Sequence, residues 1–152
     1  MIFVAALVIG IVAGLRAMTA PAIVAWAAWL GTVAVAVTWA GFFASPWAVL
    51  AFSLAALAEF VTDQLPGTPS RKVPAQFGTR LFSGALCGAA LGAAGGASLV
   101  GLVAGLIGAV IGTLGGAEVR GRPSASFGRD RPAAFLEDAA AILLALVAVA
   151  LA

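Results

Sequence analysis

"GLRAMTAPA", Gly14 to Ala22, carries one arginine inside a long apolar stretch, and Arg16 is the only charged residue before Glu59. The chain has 152 residues, of which 63% are hydrophobic and 9% charged, with a mean hydropathy of +1.15. A soluble domain carries about 25% charged residues. So little charge does not cover a water-facing surface, and the composition points to an integral membrane protein folded as a single domain, 1–152. In that setting a lone guanidinium is costly unless it faces the bundle interior and finds a partner. The expected partners are carboxylates further along the chain.

The remaining charges fall in two clusters. One holds Glu59, Asp63, Arg71, Lys72 and Arg80; the other runs from Glu118 to Asp138. Between them lie uncharged runs at 17–58, 81–117 and 139–152. A membrane helix needs about 20 apolar residues, so the first two runs are each long enough for a helical hairpin. Turn signals place five spans near 3–30, 46–65, 74–94, 98–118 and 132–151. Ser45-Pro46-Trp47 reads as an N-cap, a first-turn proline and an interfacial aromatic. "LPGTPSRKVP" (65–74) and "RGRPSASFGRDRP" (120–132) read as polar loops, and Gly95-Gly96 as a break. The piece 31–45 reads as an interfacial connection, or as part of a sixth span if the chain turns at Thr19–Pro21. The fold class is thus an all-α polytopic transmembrane bundle.

The basic residues lie in the loops 65–74 and 119–132. The positive-inside rule puts both in the cytoplasm of a bacterial inner-membrane protein. Five spans would then leave the N-terminus inside and the C-terminus outside. The first apolar run lacks the basic start of a signal peptide. A lone Cys87 and the absence of histidine give no metal or cofactor site, and nothing in the charge pattern calls for nucleic acid.

Gly84, Gly88, Gly92 and Gly96 recur every four residues, as do Gly101 and Gly105, then Gly108, Gly112 and Gly116. Such ladders let helix backbones approach closely in lipid, either within the chain or at a homo-oligomer seam. Short echoes hint at an internal repeat. "PAQFGTR" (74–80) matches "PAAFLED" (132–138), and "GLRAMTA" (14–20) matches "GTRLFSG" (78–84).

At about 1.5 Å per residue, Glu59, Arg80 and Asp138 each lie roughly 9 Å inside their helices from the cytoplasmic end. Asp63 is one turn from Glu59 on the same face. Arg16, Glu59, Arg80, Glu137 and Asp138 are therefore expected in one layer. Pro21 removes the hydrogen bond to the carbonyl of Ala17 and should kink or break the first helix beside Arg16. In "TPSR", Thr68, Ser70 and Arg71 offer hydroxyls and a guanidinium at a turn, a set suited to a phosphate or carboxylate.

Four stretches, "GLRAMTAPA", "AEFVTDQLPGTPSRKVP", "TRLFSGALCGAALG" and "FLEDAAAI", occur in an order that resembles a family of small bacterial integral membrane proteins, the DUF4126-type domain of unknown function. The resemblance runs over nearly the whole chain. It marks Gly14, Arg16, Thr19, Glu59, Asp63, Leu65, Pro66, Thr68, Pro69, Ser70, Arg71, Ser83, Gly84, Glu137 and Asp138. Gln64 departs from the lysine common at that point, and the resemblance implies no activity.

The leading functional expectation is a small transporter or lipid translocase. Its site would comprise Arg16, Thr19, Glu59, Asp63, Thr68, Ser70, Arg71, Arg80, Glu137 and Asp138. Its partners would be membrane lipids and an anionic small molecule or lipid headgroup. The alternative is a structural or assembly protein whose buried ion pairs fix helix register. No nucleophile with an adjacent base is evident, so an enzyme is not expected.

Overall fold

A computed structural model describes the backbone of residues 1–63, 73–127 and 131–152, and the side chains of 1–63, 73–118 and 138–152. The described residues are helical, without strands. The elements are α1 (Ile2–Leu15), α2 (Thr19–Trp29), a 3-10 helix (Trp39–Ala44), α3 (Pro46–Thr62), α4 (Pro74–Ala94), α5 (Ser98–Phe127) and α6 (Arg131–Ala150).

The boundaries follow local chemistry. Ser45 caps α3, its Oγ accepting from the Trp47 amide at 3.2 Å with Pro46 in the first turn, as the sequence suggests. Gly31 and Gly96 have φ of +74° and +71° and end α2 and α4. At each, the next amide reaches back to the carbonyl five residues earlier: Thr32 to Ala27 at 2.9 Å, Ala97 to Gly92 at 2.7 Å. Glycine takes this left-handed position without a Cβ penalty.

The expected single span 3–30 is two helices. The break falls at Arg16–Met18, where Arg16 is extended (φ −143°, ψ 109°). Pro21 lies in the first turn of α2, where its missing N–H costs nothing. The chain also reverses at the break. Ile2 lies against Gly95 at the end of α4, while Ala13 lies 3.5 Å from where a Cβ on Gly84 would sit, so α1 runs antiparallel to α4. Trp26 Nε1 then donates to Ser53 Oγ at 3.0 Å, and Trp39 Nε1 to Ser98 Oγ at 3.2 Å, which carries α2 and the 3-10 helix back toward the Ile2 end.

Two corrections follow. The chain ends lie at the same end of the bundle, because α6 starts beside Arg16 and packs along α1; the five-span reading put them on opposite sides. Residues 120–127, expected in a polar loop, continue α5. Pro123 removes one backbone hydrogen bond of this helix, yet the helix runs past it.

Helices α1, α4 and α5 form the tightest unit. The glycine ladders explain it. A Cβ on Gly105 would overlap the Gly84 carbonyl oxygen, and one on Gly88 would overlap that of Gly101. On Gly14 it would lie 2.6 Å from the Thr113 amide nitrogen. One α5 ladder, at 101 and 105, meets α4, and the other, at 108 and 112, meets α1. These faces are therefore consumed within the chain.

Burial is inverted relative to a water-soluble core. Alanines and glycines fill the interior, and the two largest fully buried side chains are Arg16 and Arg80. Large apolar side chains point outward: Leu50, Leu54, Leu57 and Val61 on α3, Leu99, Val103 and Ile111 on α5, Leu143, Leu146 and Val147 on α6. Among the described residues, Ser98–Glu118 is the one stretch both long and apolar enough to cross a bilayer, with mean hydropathy 2.1. The apolar stretches Ile2–Leu15, Thr19–Trp29, Pro46–Thr62 and Asp138–Ala150 are shorter.

Candidate functional site

Breaking a helix exposes carbonyls at one new end and amides at the other. Around Arg16 both ends are met by charged side chains from other helices. The carboxylate of Glu59, on α3, spans the start of α2: Oε1 accepts from the Ala17 amide and Oε2 from the Met18 amide, each at 2.8 Å. Arg80, on α4, caps the end of α1, its Nη1 donating to the carbonyls of Gly14 at 2.9 Å and Leu15 at 2.6 Å. An anion thus sits at a helix N-terminus and a cation at a helix C-terminus, the arrangement the peptide dipoles favour. The two caps also face each other, with Arg80 Nη2 3.7 Å from Glu59 Oε1.

Arg16 itself points into the bundle and is fully buried. Its Nη1 donates to Asp63 Oδ2 at 2.9 Å and to the Glu59 carbonyl at 3.4 Å, while Nη2 pairs with Asp138 Oδ1. The guanidinium lies over the Phe60 ring, 4.6 Å from its centroid, a cation–π contact. Ser83 Oγ donates to the Ala17 carbonyl at 2.5 Å, the one Pro21 leaves without an amide. Thr113 Oγ1 bonds the carbonyls of Ala109 at 2.8 Å and Gly14 at 3.3 Å.

The structure thus brings together Arg16, Glu59, Asp63, Arg80 and Asp138, drawn from the α1–α2 junction, α3, α4 and α6. Thr19 opens α2 and is buried. Among the described residues, its Oγ1 and the Nε of Arg16 have no hydrogen-bond partner. The side chain of Glu137, and Thr68, Ser70 and Arg71, lie outside the described residues. No group of three metal-ligating side chains occurs among the described residues.

Pairing differs in detail from expectation. Arg16 meets Asp63 rather than the carboxylate of Glu59, which is engaged by backbone amides. The sequence reading missed the Ala17 and Met18 amides, Phe60 and Thr113, and left Ser83 out of the site. The echo between "GLRAMTA" and "GTRLFSG" carried a signal for Ser83. Arg80 and Ser83 are three residues apart on one helix face, and both reach the junction. Comparison with family models, curated proteins and solved structures returns no match to this chain.

Proposed function

We propose that the protein is a small multi-pass transporter or lipid translocase of the bacterial inner membrane, with the charged layer at the helix break as its solute site. One observation carries the reading: a discontinuous helix whose two ends are both held by buried charged side chains from neighbouring helices. Broken helices of this kind, with backbone dipoles aimed at charge, build the binding sites of many secondary transporters.

The membrane setting is supported by the inverted burial. An outward face of Leu, Val, Ile and Phe around an Ala/Gly interior suits lipid, where small residues rather than hydrophobicity hold helices together. The exposed Trp29, Trp39 and Trp47 lie toward the end opposite the charged layer, as an aromatic belt would. With the basic segments 65–74 and 119–132 in the cytoplasm, both chain ends lie outside. At about 1.5 Å per residue, α1 is about 21 Å long against about 32 Å for α4. The α1–α2 pair is then a re-entrant hairpin that turns below the bilayer centre. Non-helical backbone is tolerated at that depth only when surrounded by protein or lining a cavity.

Of the described layer residues, two guanidinia face three carboxylates, Glu59, Asp63 and Asp138. The excess negative charge suits a proton or monovalent cation carried with the solute. Uptake of labelled phosphate and short carboxylates, and flipping of fluorescent lipids, are measured in proteoliposomes. Transport that survives unchanged in Arg16→Ala removes the site assignment.

A second reading has its own observation. Each described charged side chain of the layer meets an opposite charge or a backbone group, as a register lock requires. In that case Arg16→Ala loses stability and Asp138→Asn restores part of it, with no flux in any variant.

A further inference from the structure

We propose that the amides of Ala17 and Met18 form a binding site for a small oxyanion, a carboxylate or phosphate, and that Glu59 occupies it at rest as an internal stand-in. The carboxylate of Glu59 shows what the site takes, with two oxygens on two successive amides at 2.8 Å each. The site lies at the N-terminus of an eleven-residue helix, where amides and dipole both favour an anion.

Two further atoms point to a ligand larger than the Glu59 carboxylate. Thr19 Oγ1 and Arg16 Nε flank the amide pair in the chain, both are buried, and neither has a partner among the described residues. A buried donor left unmade is costly, and an oxyanion with three or four oxygens has acceptors to spare for both.

The groups facing the site are Arg16 from the junction, Asp63 from α3, Arg80 from α4 and Asp138 from α6, with Thr113 the nearby polar group of α5. That a transported anion displaces Glu59 from these amides rests on the transporter reading; the binding site does not.

The test is chemical rescue. Purified Glu59→Ala in zwitterionic detergent is melted with increasing formate, with inorganic phosphate, with short-chain phosphatidylglycerol, and with chloride at matched ionic strength. Glu59→Ala is expected to melt below wild type. Formate or phosphate should recover at least half of the loss along a saturating curve, while wild type barely responds. Recovery with phosphatidylglycerol alone would assign the site to a lipid headgroup rather than a free anion. A response no larger than that to chloride, or equal in wild type and variant, overturns the proposal. If Glu59→Ala does not fold, Glu59→Gln keeps the side-chain volume and gives up one acceptor. Calorimetric titration with phosphate should then show binding to Glu59→Gln that wild type lacks, and its absence overturns the proposal equally. Rescue without any flux in proteoliposomes keeps the anion site and removes the transport reading.

Discussion

Replacing Arg16 with alanine should be among the most damaging single changes in this chain. The guanidinium is fully buried, pairs with Asp63 and Asp138, donates to the Glu59 carbonyl and covers the Phe60 ring. Removing one partner of a buried ion pair costs about 3–5 kcal/mol, because the other is left buried and uncompensated. Here two carboxylates are stranded, and they also lose the charge that kept them apart. Loss of the cation–π contact adds up to about 2 kcal/mol. Against this, water entering the vacated volume hydrates both carboxylates, so the lower end, about 3 kcal/mol, is the expected net loss. Unfolding in mixed micelles with rising SDS, followed by tryptophan fluorescence, measures it. Adding Asp138→Asn to Arg16→Ala should recover about 1–3 kcal/mol, the coupling typical of residues in direct contact. An Arg16→Ala protein within about 0.5 kcal/mol of wild type, the range of an ordinary surface change, would refute the buried layer.

Other consequences are separable. Gly105→Ala should destabilise by about 1–3 kcal/mol, since its methyl group meets the backbone of Gly84 and Gly88. Gly78→Ala, with open space around it, should be neutral or gain up to about 1 kcal/mol of helix propensity; the same SDS titration compares them. Ser83→Ala should cost about 1–3 kcal/mol by leaving the Ala17 carbonyl unsatisfied, whereas Thr79→Ala, on the exposed side of the same helix, should cost under about 0.5 kcal/mol. With Cys87 replaced by alanine, a cysteine inserted directly after Met1 and one at Ala152 should both react with an impermeant maleimide from outside the cell, and one at Arg71 only after permeabilisation. Labelling of the two ends from opposite sides would contradict the reversal at Arg16.

Much of this arrangement was legible in the residues. The helix starts at Pro46 and Pro74 and the turn at Gly95–Gly96 follow from proline and glycine chemistry, which acts locally. The charged layer was legible because apolar surroundings leave few partners for an arginine, and helix rise alone brings Glu59, Arg80 and Asp138 to one depth. The reversal at Arg16–Met18 was legible only as the alternative of a turn at Thr19–Pro21. Pro21 signals a break, but the direction taken after it depends on Glu59 and Arg80 capping the two new ends, and those contacts come from 42 and 65 residues away. Backbone amides as ligands are equally silent, because any residue type supplies them. The helix beyond Glu118 was hidden for a different reason. Gly121 and Pro123 read as breakers, yet propensity is a weak prior that neighbouring turns override.

Whether the layer moves a solute or fixes the bundle comes down to transport per folded molecule in Glu59→Gln, measured against wild type in the same proteoliposomes. Glutamine keeps the shape and one acceptor for the amides but loses the charge that a solute or proton would exchange with. The account predicts a variant that remains mostly folded and has lost most of its flux. Flux per folded molecule equal to wild type would contradict it.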